Sequence, residues 1–154
     1  MSYPEYQADL DRLYESEVYG EILFVTAARL SGAGARRDKW LLLRDLETQT
    51  KDRLLAFLSS TGQQAHLPGL LRAKSQLVGA VLGVLPWSLA MKLLGDGTAP
   101  FLAVFERLER NAPESAREFF AYVVAHERAI AEFARRERAG DAATAIAPVR
   151  ALLG

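Results

Sequence analysis

Five glutamates and one histidine fall on, or at the border of, helix faces that should be apolar. In "YESEVYGEILF" (Tyr14 to Phe24), Glu17 and Glu21 lie one helical turn apart on the stripe drawn by Leu10, Leu13, Phe24 and Ala28. Glu15 falls off that stripe and reads as a solvated charge. In the next segment the stripe through Leu43, Leu46, Leu54 and Phe57 passes through Glu47 and Thr50. If the two segments fold back on each other near residue 33, Glu17 precedes the bend by about 16 residues and Glu47 follows it by about 14, so both stand at nearly one height. Two inward carboxylates at one level are costly unless they are protonated, paired with a cation or bound to a metal. Further on, "VVAHERAIAEF" sets His126 and Glu127 beside the apolar positions Phe119, Val123, Ile130 and Phe133; one of the two is expected to point inward, and the pattern does not say which. Glu106, between Phe105 and Leu108, is a further candidate. Each residue also has a plainer role: Glu21 can snorkel to water, Glu47 can pair with Lys51 four residues on, and His126 can be a satisfied core imidazole.

These side chains need helices to position them, and the sequence supplies the signals. "SYPE" predicts a first helix with Ser2 as N-cap, Glu5 as its capping-box partner and Pro4 in the first turn. It runs to Leu30, where "SGAG" (Ser31 to Gly34) ends it. A second helix is expected over about 36–58, followed by a loop over 59–69. The segment from Leu70 to Leu94 is apolar on every side between Leu77 and Met91, apart from Ser88. A helix of that kind is buried or faces lipid. The uninterrupted stretch is shorter than the ~20 residues of a spanning helix. Pro86 is expected to kink it, and Gly79 and Gly83, one turn apart, allow a close helix approach. "GDG" (Gly95 to Gly97) is expected to break the chain before a short helix over about 99–109. "NAPE" (Asn111 to Glu114) predicts the start of a last long helix, with Asn111 as N-cap and Gly140 as its stop. Pro148 limits the helical tail. The expectation is an all-α fold: one domain over 1–154, a bundle of four main helices with an additional short one.

Composition narrows the functional classes. The 154 residues suit one core, half of them are hydrophobic, and 19 basic residues balance 19 acidic ones. No basic stripe appears, so nucleic acid is not an expected partner. The absence of cysteine excludes disulfides, thiolate metal sites and cysteine nucleophiles. No phosphate loop or dinucleotide fingerprint follows a strand. The N-terminus is polar and acidic with no apolar h-region, so a cytoplasmic location is expected.

"YGEILF", "LLLRDLETQTKDRLLAFL" and "VVAHERAIAEFARRE" resemble the first, second and last core helices of ferritin-like proteins, the rubrerythrin and demethoxyubiquinone hydroxylase relatives. The hydroxylase likeness extends to the apolar third helix and to "AVFERLE" (Ala103 to Glu109), so that it spans most of residues 5–139. The resemblance implies a four-helix bundle whose inward carboxylates and two histidines hold a di-iron or di-manganese centre. It implies Glu17 or Glu21 as first ligand, Glu47 as the start of a Glu-x-x-His pair, Glu106 on the third core helix, and His126 or Glu127 on the last. The chain departs from the family pattern at Thr50, which stands where that pattern has a histidine, and at Val123, three residues before His126. Only two histidines are present, and His66 lies in the expected loop. The expected function is therefore an altered, carboxylate-rich site for Fe or Mn, with oxidoreductase chemistry if the metal is redox-active. Two other readings compete with it. One is a ferritin-like bundle without catalysis, acting as a dimeric binding or assembly module. The other is a protein that touches a membrane surface through residues 77–91. A homodimer through that apolar segment is expected in either case.

Overall fold

Periodic apolar residues wind this chain into helices throughout, and the computed structural model describes residues 3–154. The helices are α1 (Tyr6–Leu30), α2 (Ala35–Thr61), α3 (Leu71–Val84), α4 (Trp87–Arg110), α5 (Glu114–Arg138), α6 (Ala142–Ala145) and α7 (Ala147–Leu152). No strand occurs among the described residues, so the fold is all-α as the periodicity predicts.

Several boundaries differ from expectation, each for a local reason. Ser2 lies outside the described residues; α1 starts at Tyr6, and Glu5 occupies the N-cap position without a side-chain capping bond. Helix α2 runs on to Thr61, where Gly62 takes the left-handed conformation (φ 66°) and its N–H closes onto Leu58 and Ser59. Pro86 separates two helices instead of kinking one, because Leu85 before it is driven into extended backbone (ψ 155°). The Gly95 to Gly97 segment does not break the chain: α4 continues through both glycines and through Pro100. Packing overrides propensity here. Leu94, Thr98 and Phe105 on one face of α4 are buried, and Gly95 lies against Ala134 of α5. Asn111 ends α4 instead of opening α5; its side chain donates to the Arg107 carbonyl, while Pro113 takes the N-cap position of α5.

Two apolar clusters define the directions of the helices. One joins the end of α1 (Leu23, Phe24), the start of α2 (Trp40, Leu43), the start of α4 (Ala90, Met91) and the end of α5 (Ile130, Phe133). The other joins the start of α1 (Leu10, Leu13), the end of α2 (Leu54, Leu58), the end of α4 (Phe105, Leu108) and the start of α5 (Phe120, Val123). Thus α1 and α5 run one way, and α2 and α4 the other. Because α2 and α4 are parallel, the chain must return along the whole bundle between them, and α3 makes that return. It lies parallel to α1: a Cβ on Gly79 would stand 2.5 Å from the Leu23 carbonyl oxygen, and one on Gly83 2.8 Å from that of Ala27. The glycine pair therefore serves an internal helix contact. The apolar segment is divided in use, with Leu82, Ala90 and Met91 buried and Leu77, Val81, Val84 and Leu89 exposed. Arg107 fastens the far end, donating two hydrogen bonds (2.7 and 2.6 Å) to the Asp9 carboxylate. No helix among the described residues is long and apolar enough to cross a membrane.

Candidate metal centre

Between the two apolar clusters lies one polar layer. Glu17 of α1, Glu47 of α2, and His126 and Glu127 of α5 all turn into it, each no more than 3% exposed. The His126 Nε2 atom lies 3.1 Å from Glu17 Oε1, 3.5 Å from Glu47 Oε2 and 3.7 Å from Glu127 Oε2. One donor atom each from Glu17, Glu47 and His126 falls within 4.8 Å of the others. The two neighbours on α5, between which the sequence did not choose, both point inward.

Despite these short distances, the layer lacks hydrogen bonds. Both oxygens of Glu17, Oε2 of Glu47, Oε2 of Glu127 and Nε2 of His126 are buried without a hydrogen-bond partner, the 3.1 Å contact between Nε2 and Glu17 included. Buried polar atoms are ordinarily satisfied, so five unpartnered ones in one layer single it out as a candidate ligand set. The other ring nitrogen decides the sign of what that set would hold. His126 Nδ1 lies 2.6 Å from the Val123 carbonyl oxygen, which can only accept, so Nδ1 carries the proton. A neutral imidazole then aims the Nε2 lone pair at three carboxylates. That arrangement repels itself unless a cation sits among the four groups or Nε2 takes a proton. A metal-bound histidine commonly donates its second N–H to a backbone carbonyl, as Nδ1 does here.

The electrostatics follow from the same crowding. Burial, then the Glu17 carboxylate, pushes Glu47 well above the usual carboxylate range. For His126 burial acts downward, but the charges of Glu17 and Glu47 outweigh it and hold the imidazole well above its ordinary value. Burial raises Glu127 to about 8.

The surroundings hold these groups in place. The His126 ring has Phe105 on α4 (centroids 5.9 Å apart) and Tyr122 (6.3 Å) nearly parallel to it. Thr50, at the position where the family pattern has a histidine, is fully buried and bonded to the Tyr122 hydroxyl (2.9 Å), which also accepts from Gln49 Nε2 (2.9 Å). Gly20 is a residue that the inward stripes did not single out. A Cβ there would stand 2.6 Å from Glu47 Oε1 and 2.7 Å from its Cδ, so any other residue would push that carboxylate from its present place. Its signal was a mid-helix glycine, a choice that costs about 1 kcal/mol relative to alanine.

Two candidates lie elsewhere. Glu21 points to the bundle surface, where Lys51 (2.8 Å) and Thr48 bond it; against the upward pull of burial, they hold its carboxyl below the ordinary value. Lys51 thus serves Glu21 and not Glu47. Glu106 is turned outward and pairs with Arg128 at 3.1 Å. His66 sits in the exposed loop beside Asp11.

A cavity of about 480 Å³ between α1, α3 and α4 reaches the polar layer from outside. Its walls include Tyr19, Leu23, Val78, Leu82, Leu94 and Phe101, and Glu47 and Glu127 form its polar floor. Buried oxygen donors and one imidazole nitrogen beside an open apolar chamber can bind a divalent cation and leave a side of it accessible. Comparison with protein-family models, with curated proteins and with solved structures finds no match to this chain.

Proposed function

We propose that the protein binds one divalent transition-metal ion, Fe(II) or Mn(II), through Glu17, Glu47 and His126, with Glu127 completing the set from the cavity side, as an altered form of the ferritin-like carboxylate centre. One observation carries the reading: the His126 Nε2 lone pair and the unpartnered oxygens of three glutamates gather in one buried layer. The donor set fits, because carboxylates with an imidazole suit Fe(II), Mn(II) and Zn(II), and the buried negative charge lacks a neighbouring cation other than a protonated His126. The course of the helices supports the ferritin-like part of the reading. Bundles of that kind have one long crossover connection, and α3 makes such a connection here.

A bound iron or manganese would supply one-electron redox chemistry and a position for a small oxidant, making the protein an oxidoreductase. The chain's own residues would do the rest. Phe105 and Tyr122 orient the imidazole, Gly20 leaves space for Glu47, Glu127 gives up its proton to join the donors from the cavity floor, and the apolar walls line the approach.

The test is metal content and titration of protein purified without a histidine tag. Fe(II) or Mn(II) should bind one-to-one under anaerobic conditions, and His126→Ala and Glu47→Gln should each abolish binding while Glu21→Gln leaves it intact. If no Fe, Mn or Zn co-purifies and none binds on titration, His126 is an imidazolium bridging glutamates and the metal reading is refuted.

A further inference from the structure

The 480 Å³ cavity has the size of an ordinary small-molecule site, and its polarity runs in an unusual order. The floor is acidic, with Glu47 and Glu127; the walls are apolar; and the rim carries Lys74, the sole basic side chain among the lining residues. Lys74 is exposed, and among the described residues no carboxylate lies within ion-pair distance of it; its Nζ instead sits over the Tyr19 ring, 5.6 Å from the centroid. Phe101, another wall residue, carries the Arg12 guanidinium over its face at 5.0 Å. Glu15 shares the rim and opposes an anion there, so Lys74 alone must draw the head group in.

We propose that this cavity binds a free medium-chain carboxylic acid, with its hydrocarbon chain directed toward the acidic floor and its carboxylate at Lys74. The floor repels an anion, so the head group must stay outside, and the rim offers the cation that receives it. The walls supply the affinity through apolar burial, at roughly 25 cal/mol per Å². An alkylamine would insert the other way, head to floor, and an alcohol would gain nothing from Lys74. Binding by the walls does not require a metal, so this site stands or falls separately from the metal reading.

The experiment is calorimetric titration of the full chain, both metal-free and Mn(II)-loaded, with dodecanoate, dodecanol and dodecylamine. Dodecanoate should bind one-to-one and tightest. Lys74→Glu should weaken it about fivefold, the scale of one exposed charge pair, and leave dodecanol unchanged. Gly97 lines the cavity with open space where a Cβ would be, so Gly97→Phe should fill the chamber without straining the helix. It should abolish binding of all three probes while metal binding and Tm stay at the parent values. Leu93→Trp, at a half-exposed wall position, is a second blocker should the first perturb folding. Dodecylamine or dodecanol binding as tightly as dodecanoate, an unaffected Lys74→Glu variant, or undiminished binding with both blockers would each overturn the proposal.

Discussion

On the proposed metal reading, metal-free and metal-loaded protein should differ in the way stability depends on pH. Glu127 has a folded pKa of about 8 against an ordinary 4.5. A carboxyl raised in the folded state binds its proton more tightly there than in the unfolded chain. Its stabilising effect is complete below the unfolded value and is lost as pH rises through the folded one. Between pH 5 and 7 that loss is about 2 kcal/mol for Glu127 alone, since each unit of the window costs about 1.4 kcal/mol once the unfolded form is ionised. The group is fully buried, so solvent does not screen the effect. Glu47 and His126 are also raised and act with the same sign. The lowered carboxylates Glu21, Asp96 and Glu132 titrate below this window and do not oppose it. At about 2 to 4 °C per kcal/mol for a chain of this size, the metal-free protein should lose about 4 to 8 °C in Tm from pH 5 to 7. Metal needs the deprotonated donors, so its affinity grows over the same range. Mn(II) at a hundred times its Kd should restore about 2.7 kcal/mol near neutral pH. Thermal melts in chelator and in Mn(II), from pH 5 to 8.5, for the parent and Glu127→Gln, provide the assay. A metal-free Tm that is flat or rises with pH, or a Glu127→Gln variant with the parent's slope, refutes the reasoning.

Three further outcomes follow from close contacts and surface pairs. Gly20→Ala places a methyl group 2.6 Å from Glu47 Oε1 and should weaken Mn(II) binding at least tenfold, at a cost of about 1 to 3 kcal/mol in stability, read by titration and denaturant melts. Gly79→Leu drives a side chain into the Leu23 carbonyl; it should loosen α3 from α1, cost a similar 1 to 3 kcal/mol and speed amide exchange in α3, while the metal affinity of α1, α2 and α5 is retained. Glu106→Ala removes an exposed partner of Arg128 and should change stability by less than about 1 kcal/mol, with metal binding unaltered by titration.

What the sequence made legible was periodic. Apolar spacing located the long helices, and it placed Glu17 and Glu47 on the faces that now meet. What it hid was settled by partners distant along the chain. Glu21 lies on the same stripe as Glu17, and only Lys51 and Thr48 on α2 draw it to the surface. Glu106 sits between two buried neighbours on α4, yet Arg128 takes it outward. The glycines of "GDG" read as a break because propensity is local, whereas the packing of α4 on α5 that keeps them helical is not. His126 and Glu127 read as alternatives in the sequence because adjacent helical positions point about 100° apart. In a layer entered from both sides of α5, both can reach the interior.

On the proposed reading, the number of ions follows from the same neighbours. A second metal beside the first would need donors from position 50 on α2 and from α4. Thr50 instead closes onto the Tyr122 hydroxyl, and that hydroxyl is also held by Gln49, whose side chain bonds the Leu152 carbonyl and the Gly154 N–H. On α4, Phe105 lies against the imidazole, while Glu106 beside it is turned away. Each group that could have served a second ion is thus bonded to another partner or apolar. Every unpartnered buried side-chain atom among the described residues belongs to Glu17, Glu47, His126 or Glu127. On the proposed reading the helix course is that of a two-metal carboxylate bundle, and the donors left unsatisfied are those of one.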